Sequence, residues 1–135
     1  MQRARQTGAA LVNKFLLIAL GGAAGSLLRY SASGLAQRAL GPAFPFGTVL
    51  VNMLGCLLFG LVWAVLEPRL GGAAGARMLL LTGFMGAFTT YSTYMFETVQ
   101  LARGGQLLLA AANVGGQTAL GFALVLVGMA LGRMV

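Results

Sequence analysis

Gly83-Phe84-Met85-Gly86-Ala87-Phe88-Thr89-Thr90-Tyr91-Ser92-Thr93-Tyr94 lies inside an apolar stretch long enough to cross a bilayer. A helix facing hydrocarbon there would be built from Leu, Ile and Val. This run carries two glycines, three threonines, a serine and two tyrosines instead. Bilayer interiors tolerate such groups where they are buried in protein or line a wet path. Gly83, Gly86 and the Thr89-Thr90 pair are also poor helix-interior residues, so the spacing predicts a helix broken near its centre. A break would free carbonyls, which coordinate cations, and amides, which suit anions. The segment reads as the working part of a channel or transporter.

Three further apolar spans surround it. The four run over about residues 12–33, 46–66, 77–101 and 106–131, joined by short linkers, and together they make one four-helix transmembrane domain over residues 1–135. Pro45 opens the second span and Glu67-Pro68 closes it. Basic residues ahead of the first apolar run suit a signal peptide in outline, but the three spans that follow favour a retained first helix. Gly21-Gly22-x-x-Gly25 and Gly128-x-x-x-Gly132 place small residues on one helix face, where helices approach closely in lipid.

Composition narrows the function. The chain is 59% hydrophobic and 8% charged, too little charge to cover a soluble domain. Glu67 and Glu97 are its only acids, and it has no His. That removes the His bases, carboxylate pairs and metal clusters on which most enzymes depend. Cys56 is the single cysteine, so no intramolecular disulfide forms, and it reads as a small packing residue. The net charge of +7 comes from basic residues spread singly near the ends of apolar stretches, as topology signals are, which argues against nucleic acid. Arg3, Arg5, Lys14, Arg69, Arg77 and Arg133 fall on one side and Arg38 and Arg103 on the other, favouring an inside N-terminus.

Polar side chains recur at helical spacing. Thr48 and Asn52 share a face of the second span; Tyr91, Tyr94 and Thr98 share one of the third; Asn113 and Gln117 share one of the fourth. Each alone is accounted for as interhelical glue worth ~0.6 kcal/mol. Three such faces together point to a shared polar path. Amide, hydroxyl and phenol groups all donate to an anion, and aromatic edges carry partial positive charge. With Glu97 nearer the end of its span, the path suits a small anion better than a cationic drug.

These motifs resemble the CrcB/Fluc family of fluoride channels over nearly the whole chain. The marks are Gly21-Gly22-x-x-Gly25-Ser26-x-x-Arg29-Tyr30, Gly47-Thr48-x-x-Val51-Asn52-x-x-Gly55 and Gly83-Phe84-x-Gly86-x-x-Thr89-Thr90-Tyr91-Ser92-Thr93-Tyr94-x-x-Glu97. The resemblance implies an all-α membrane protein in an antiparallel, dual-topology dimer with two fluoride pores. It implies a structural sodium ion held by backbone carbonyls at Gly86 and Thr89 of both subunits. Asn52 matches the pore asparagine, and Tyr91 and Tyr94 match two pore-facing aromatic positions that are usually Phe. Thr48, Ser92, Thr93 and Thr98 are candidate lining hydroxyls, and Asn113 and Gln117 candidate polar groups of the fourth helix. The expected partners are fluoride, membrane lipid and a second copy, with a heterodimer of two related chains as the alternative. The expected location is the bacterial cytoplasmic (inner) membrane. Competing readings are a small multidrug-type exporter, which wants a carboxylate in the first span, and a non-transporting scaffold.

Overall fold

A computed structural model describes residues 2–67 and 74–135, with residues 2–10 described as a backbone path. Among the described residues every regular element is a helix. In order they form α1 (Gln2–Leu40), α2 (Phe46–Leu66), α3 (Ala74–Arg77), a π-wound run Met78–Met85, α4 (Gly86–Phe88), α5 (Tyr91–Arg103) and α6 (Leu107–Gly132). Among the described residues three helices are long and apolar enough to cross a membrane: Leu11–Leu40 within α1, Phe46–Leu66 and Leu107–Gly132. The fourth crossing is the composite path from α3 to α5. The chain is a multi-pass membrane protein, and its large apolar side chains point outward accordingly: Phe15 is 69% exposed and Leu108 83%.

α2 covers the residues of the expected second span, 46–66, and α6, offset by one residue, those of the fourth, 106–131. The expected first span, 12–33, lies inside α1, which runs on at both ends to 39 residues, about 58 Å at helical rise against a hydrocarbon core of about 30 Å. Hydropathy marks the apolar part of a helix and not its ends. Helix length is set by what stops a helix, and nothing does so before Gly41, which takes φ +89° beyond the last turn. Its N–H caps the Gln37 carbonyl at 3.0 Å. The linker to the second span therefore begins only at Gly41; residues 68–73, between the second and third spans, fall outside the described residues.

Two close-packed pairs hold the bundle: α2 on α6, and α1 on the π-wound run. Both rest on missing side chains. A Cβ at Gly25 would strike the Phe84 carbonyl, and one at Gly83 would sit 2.8 Å from the Ile18 carbonyl oxygen. On the other pair, a Cβ at Gly128 would strike the Leu57 carbonyl. Backbones thus meet directly, the contact that associates helices where lipid removes the hydrophobic drive. The Arg77 guanidinium stacks 4.9 Å from the centroid of the Trp63 ring, tying the end of α2 to the start of the third span.

The break falls at Thr89-Thr90. Both residues leave the helix for extended backbone, with φ/ψ of −85°/161° and −148°/111°. A broken third span was expected; the π winding ahead of it was not.

Candidate functional site

A helix interrupted at membrane depth strands backbone groups that must find partners elsewhere. Neighbouring spans supply them. Asn52 of α2 grips both backbone groups of Thr90: its Oδ1 accepts from the Thr90 N–H at 2.9 Å, and its Nδ2 donates to the Thr90 carbonyl at 3.3 Å. Arg29 of α1 donates from Nε to the Ala87 carbonyl at 3.0 Å. There it also sets a cation at the negative end of α4. The Thr89 hydroxyl donates back to the Met85 carbonyl at 3.1 Å. The Thr90 hydroxyl accepts from the Thr93 N–H at 3.3 Å, an N-cap that restarts the helix as α5, and it donates to the Thr93 hydroxyl at 2.8 Å. Gly55 of α2 makes room, since a Cβ there would strike the Thr89 methyl.

Beside the break lies a cavity of about 340 Å³. It is lined by Asn52, Gly55, Thr89, Thr90, Tyr91, Tyr94, Gln117 and Thr118, with Met53, Cys56, Phe59 and Val125 at its apolar side. No acid lines it. Its polar wall continues inward as a chain of hydrogen bonds. Asn52 Nδ2 donates to Gln117 Oε1 at 2.9 Å; Gln117 Nε2 donates to Asn113 Oδ1 at 2.8 Å; Asn113 Nδ2 donates to the Thr98 hydroxyl at 2.8 Å. The Thr98 hydroxyl ends the chain on the Tyr94 carbonyl at 2.8 Å.

The structure thus brings together Asn52, Gln117, Asn113 and Thr98, drawn from three spans. Gln117 and Asn113 are buried, the latter at 0% exposure. The tyrosines diverge: Tyr94 is 7% exposed and Tyr91 74%. Their rings meet edge to face at 5.8 Å. The Tyr94 hydroxyl donates to the Val114 carbonyl of α6 at 3.1 Å, so it is engaged in packing. Ser92 is exposed and Thr93 half-buried. Thr48 stands apart from the cavity: its hydroxyl donates to Glu97 Oε1 at 2.8 Å, and Glu97 Oε2 is buried with no hydrogen-bond partner among the described residues. Gly86 is exposed next to the break.

Sequence reasoning left three participants without a site role. Arg29 was a motif mark, yet a charge inside an apolar span is itself a sign that a partner exists. Gln37 clamps the α1–α2 turn, donating to the Gly41 and Phe44 carbonyls at 2.7 and 2.9 Å and accepting from the Gly47 N–H at 3.1 Å. Thr118 follows Gln117 in α6 and carried no separate signal.

Irregular backbone held inside protein, against a cavity with one polar wall and no acids, defines a helical membrane protein of the channel or transporter class. The chain belongs to the CrcB-like family: the family described as "CrcB-like protein, Camphor Resistance (CrcB)" matches residues 16–129. It is 56% identical over 124 residues to a protein of Maridesulfovibrio salexigens, covering 92% of this chain and 98% of that one. It is 52% identical over 124 residues to one of Nitratidesulfovibrio vulgaris Miyazaki F, covering 92% and 100%. A Nitrosococcus oceani protein is 48% identical over 122 residues, covering 90% and 98%. All three are named "Fluoride-specific ion channel FluC". They are channels rather than enzymes.

Proposed function

We propose that this chain forms a fluoride-selective channel that lets cytoplasmic fluoride leave the cell passively, lowering its toxicity. The observation that carries the reading is the polar wall of the cavity at Thr89-Thr90, built of amides, hydroxyls and tyrosine rings, in a lining free of carboxylates. An anion there meets donors and ring edges, with no fixed negative charge among the lining groups to repel it. Fluoride holds water tightly, so the barrier to crossing is dehydration. A path of donors replaces that water piecemeal without trapping the ion. The exposed Tyr91, the Thr118 hydroxyl and the second N–H of Gln117 Nε2 are the cavity groups best placed to do so. Both Nδ2 hydrogens of Asn52 already have acceptors, on Thr90 and Gln117.

The functional unit is an antiparallel homodimer in the bacterial inner membrane, surrounded by lipid, with a structural sodium ion held by the broken spans of both chains. The donor chemistry fits that ion. The Thr90 N–H, which would bond the Gly86 carbonyl in an unbroken helix, is turned to Asn52. The Gly86 carbonyl loses its helical donor, and Thr89 is extended beside it. Hard backbone oxygens of this kind suit a hard cation. With Gly86 exposed, a second chain is needed to complete the shell. Sodium supplies positive charge that offsets the carbonyl dipoles; this chain's residues hold the break in the shape that presents them.

The test is fluoride release from liposomes holding the purified full chain, with chloride as control. Fast fluoride release with chloride retained is the expected result. No release from folded, dimeric protein rejects the homodimeric channel, and rescue by a co-purified related chain would identify a heterodimer instead. Equal release of both anions rejects selectivity.

A further inference from the structure

We infer that Thr98, Asn113 and Gln117 are positioning residues: together they form a hydrogen-bond relay of fixed polarity that orients the Asn52 amide and, through it, the broken segment at Thr90. The polarity follows from what each atom can do. The Tyr94 carbonyl only accepts, so the Thr98 hydroxyl must donate to it. With its one proton committed, Thr98 Oγ1 can only accept from its other neighbour, which must therefore be the Asn113 Nδ2. Asn113 then turns its Oδ1 to Gln117, whose Nε2 must face it. Gln117 in turn presents Oε1 to Asn52, so the Nδ2 of Asn52 faces Gln117 and its Oδ1 faces away.

The far end demands the same orientation independently. The Thr90 N–H only donates, and it requires the Asn52 Oδ1. The two ends agree, so the four side chains share one arrangement in which every contact pairs a donor with an acceptor. Turning any one amide would set N–H against N–H, or oxygen against oxygen, beside Asn113 at 0% exposure and Gln117 at 7%. In low-dielectric surroundings such a mismatch is heavily disfavoured. Thr98 lies in α5 and Thr90 just ahead of it, yet the link runs out through α6 and back through α2. The relay therefore couples the packing of α6 to the shape of the break, and it gives Asn113 and Thr98 work that needs no contact with an ion.

The inference concerns this chain's own side chains, and its effect on flux rests on the fluoride reading. The first measurement is therefore spectroscopic. The chain has three asparagines, Asn13, Asn52 and Asn113, so selective 15N-asparagine labelling of the full protein in bicelles gives a short set of side-chain NH₂ signals. Thr98→Val keeps the shape and removes the hydroxyl; it is expected to shift or broaden the Asn52 signals, and Thr98→Ser to restore them. If Thr98→Val does not fold, Thr98→Ala removes the same hydroxyl and is read identically. In liposomes Thr98→Val is expected to slow fluoride release by about fivefold, the equivalent of one hydrogen bond. In an Asn52→Ser background it should slow release no further, because the relay then has nothing to orient. Asn52 signals unmoved by loss of the hydroxyl, or effects of the two substitutions that multiply, would overturn the relay. Wild-type protein that releases no fluoride would sink the fluoride reading and leave the NH₂ comparison intact.

Discussion

α2 and α6 run side by side as two unbroken helices, whereas the third span is wound in π register and then pulled open at Thr89-Thr90. The first pair needs little beyond glycines, because an unbroken helix satisfies its own backbone and only has to be approached. The broken span needs partners for the peptide groups it strands, and it draws side chains from α1 and α2 as well as from its own threonines. Polar residues in the outer helices are thus answers to a problem posed elsewhere in the chain. The same difference separates two kinds of substitution: removing a partner of the break leaves a stranded group, whereas crowding the packed pair displaces one helix from another.

Asn52→Ala should have the largest effect. It removes two bonds to Thr90 and one to Gln117, a loss of about 3 kcal/mol in stability, with fluoride release falling by on the order of a hundredfold. Thermal unfolding in detergent together with liposome release reads both; a stable, conducting variant would show that the break holds itself open. Gly128→Leu attacks the unbroken pair by driving a side chain into the Leu57 carbonyl. It should cost about 2–3 kcal/mol by forced separation of α2 from α6. Any folded fraction should keep fluoride over chloride, so altered selectivity there would dissolve the contrast. Arg29→Leu should cost about 2 kcal/mol by leaving the Ala87 carbonyl without its donor. Arg29→Lys, which keeps charge and a donor, should recover part of the loss in the same unfolding assay. Tyr94→Phe is expected to be mildest, about 1 kcal/mol for the bond to Val114. Release should stay near the wild-type rate, since the ring and its edges remain; a large drop would assign the hydroxyl to conduction.

The break was legible because glycine and threonine weaken a helix locally, and local weakness is written in the sequence. Its exact position between two threonines was not, because it depends on Asn52 arriving from α2 to bond both backbone groups of Thr90. The π winding escaped for a similar reason. It lies where Gly83 meets Ile18 and Gly21 of α1, a contact between distant segments. Spacing correctly placed Asn113 beside Gln117, four residues apart on one helix, but it gave no hint that Asn52 would reach Gln117 or Thr48 would reach Glu97. Arg29 shows the limit most plainly: read locally it is a basic residue in a motif, and its partner lies 58 residues further on.

The Gln37 clamp has a consequence for how the protein is made. Its three bonds all close within residues 37–47, so the turn between α1 and α2 can be set as soon as those residues leave the ribosome. Asn52 must wait for Gln117, 65 residues later. The first hairpin can thus insert as a finished piece, and the third span takes its final shape only when the last helix arrives.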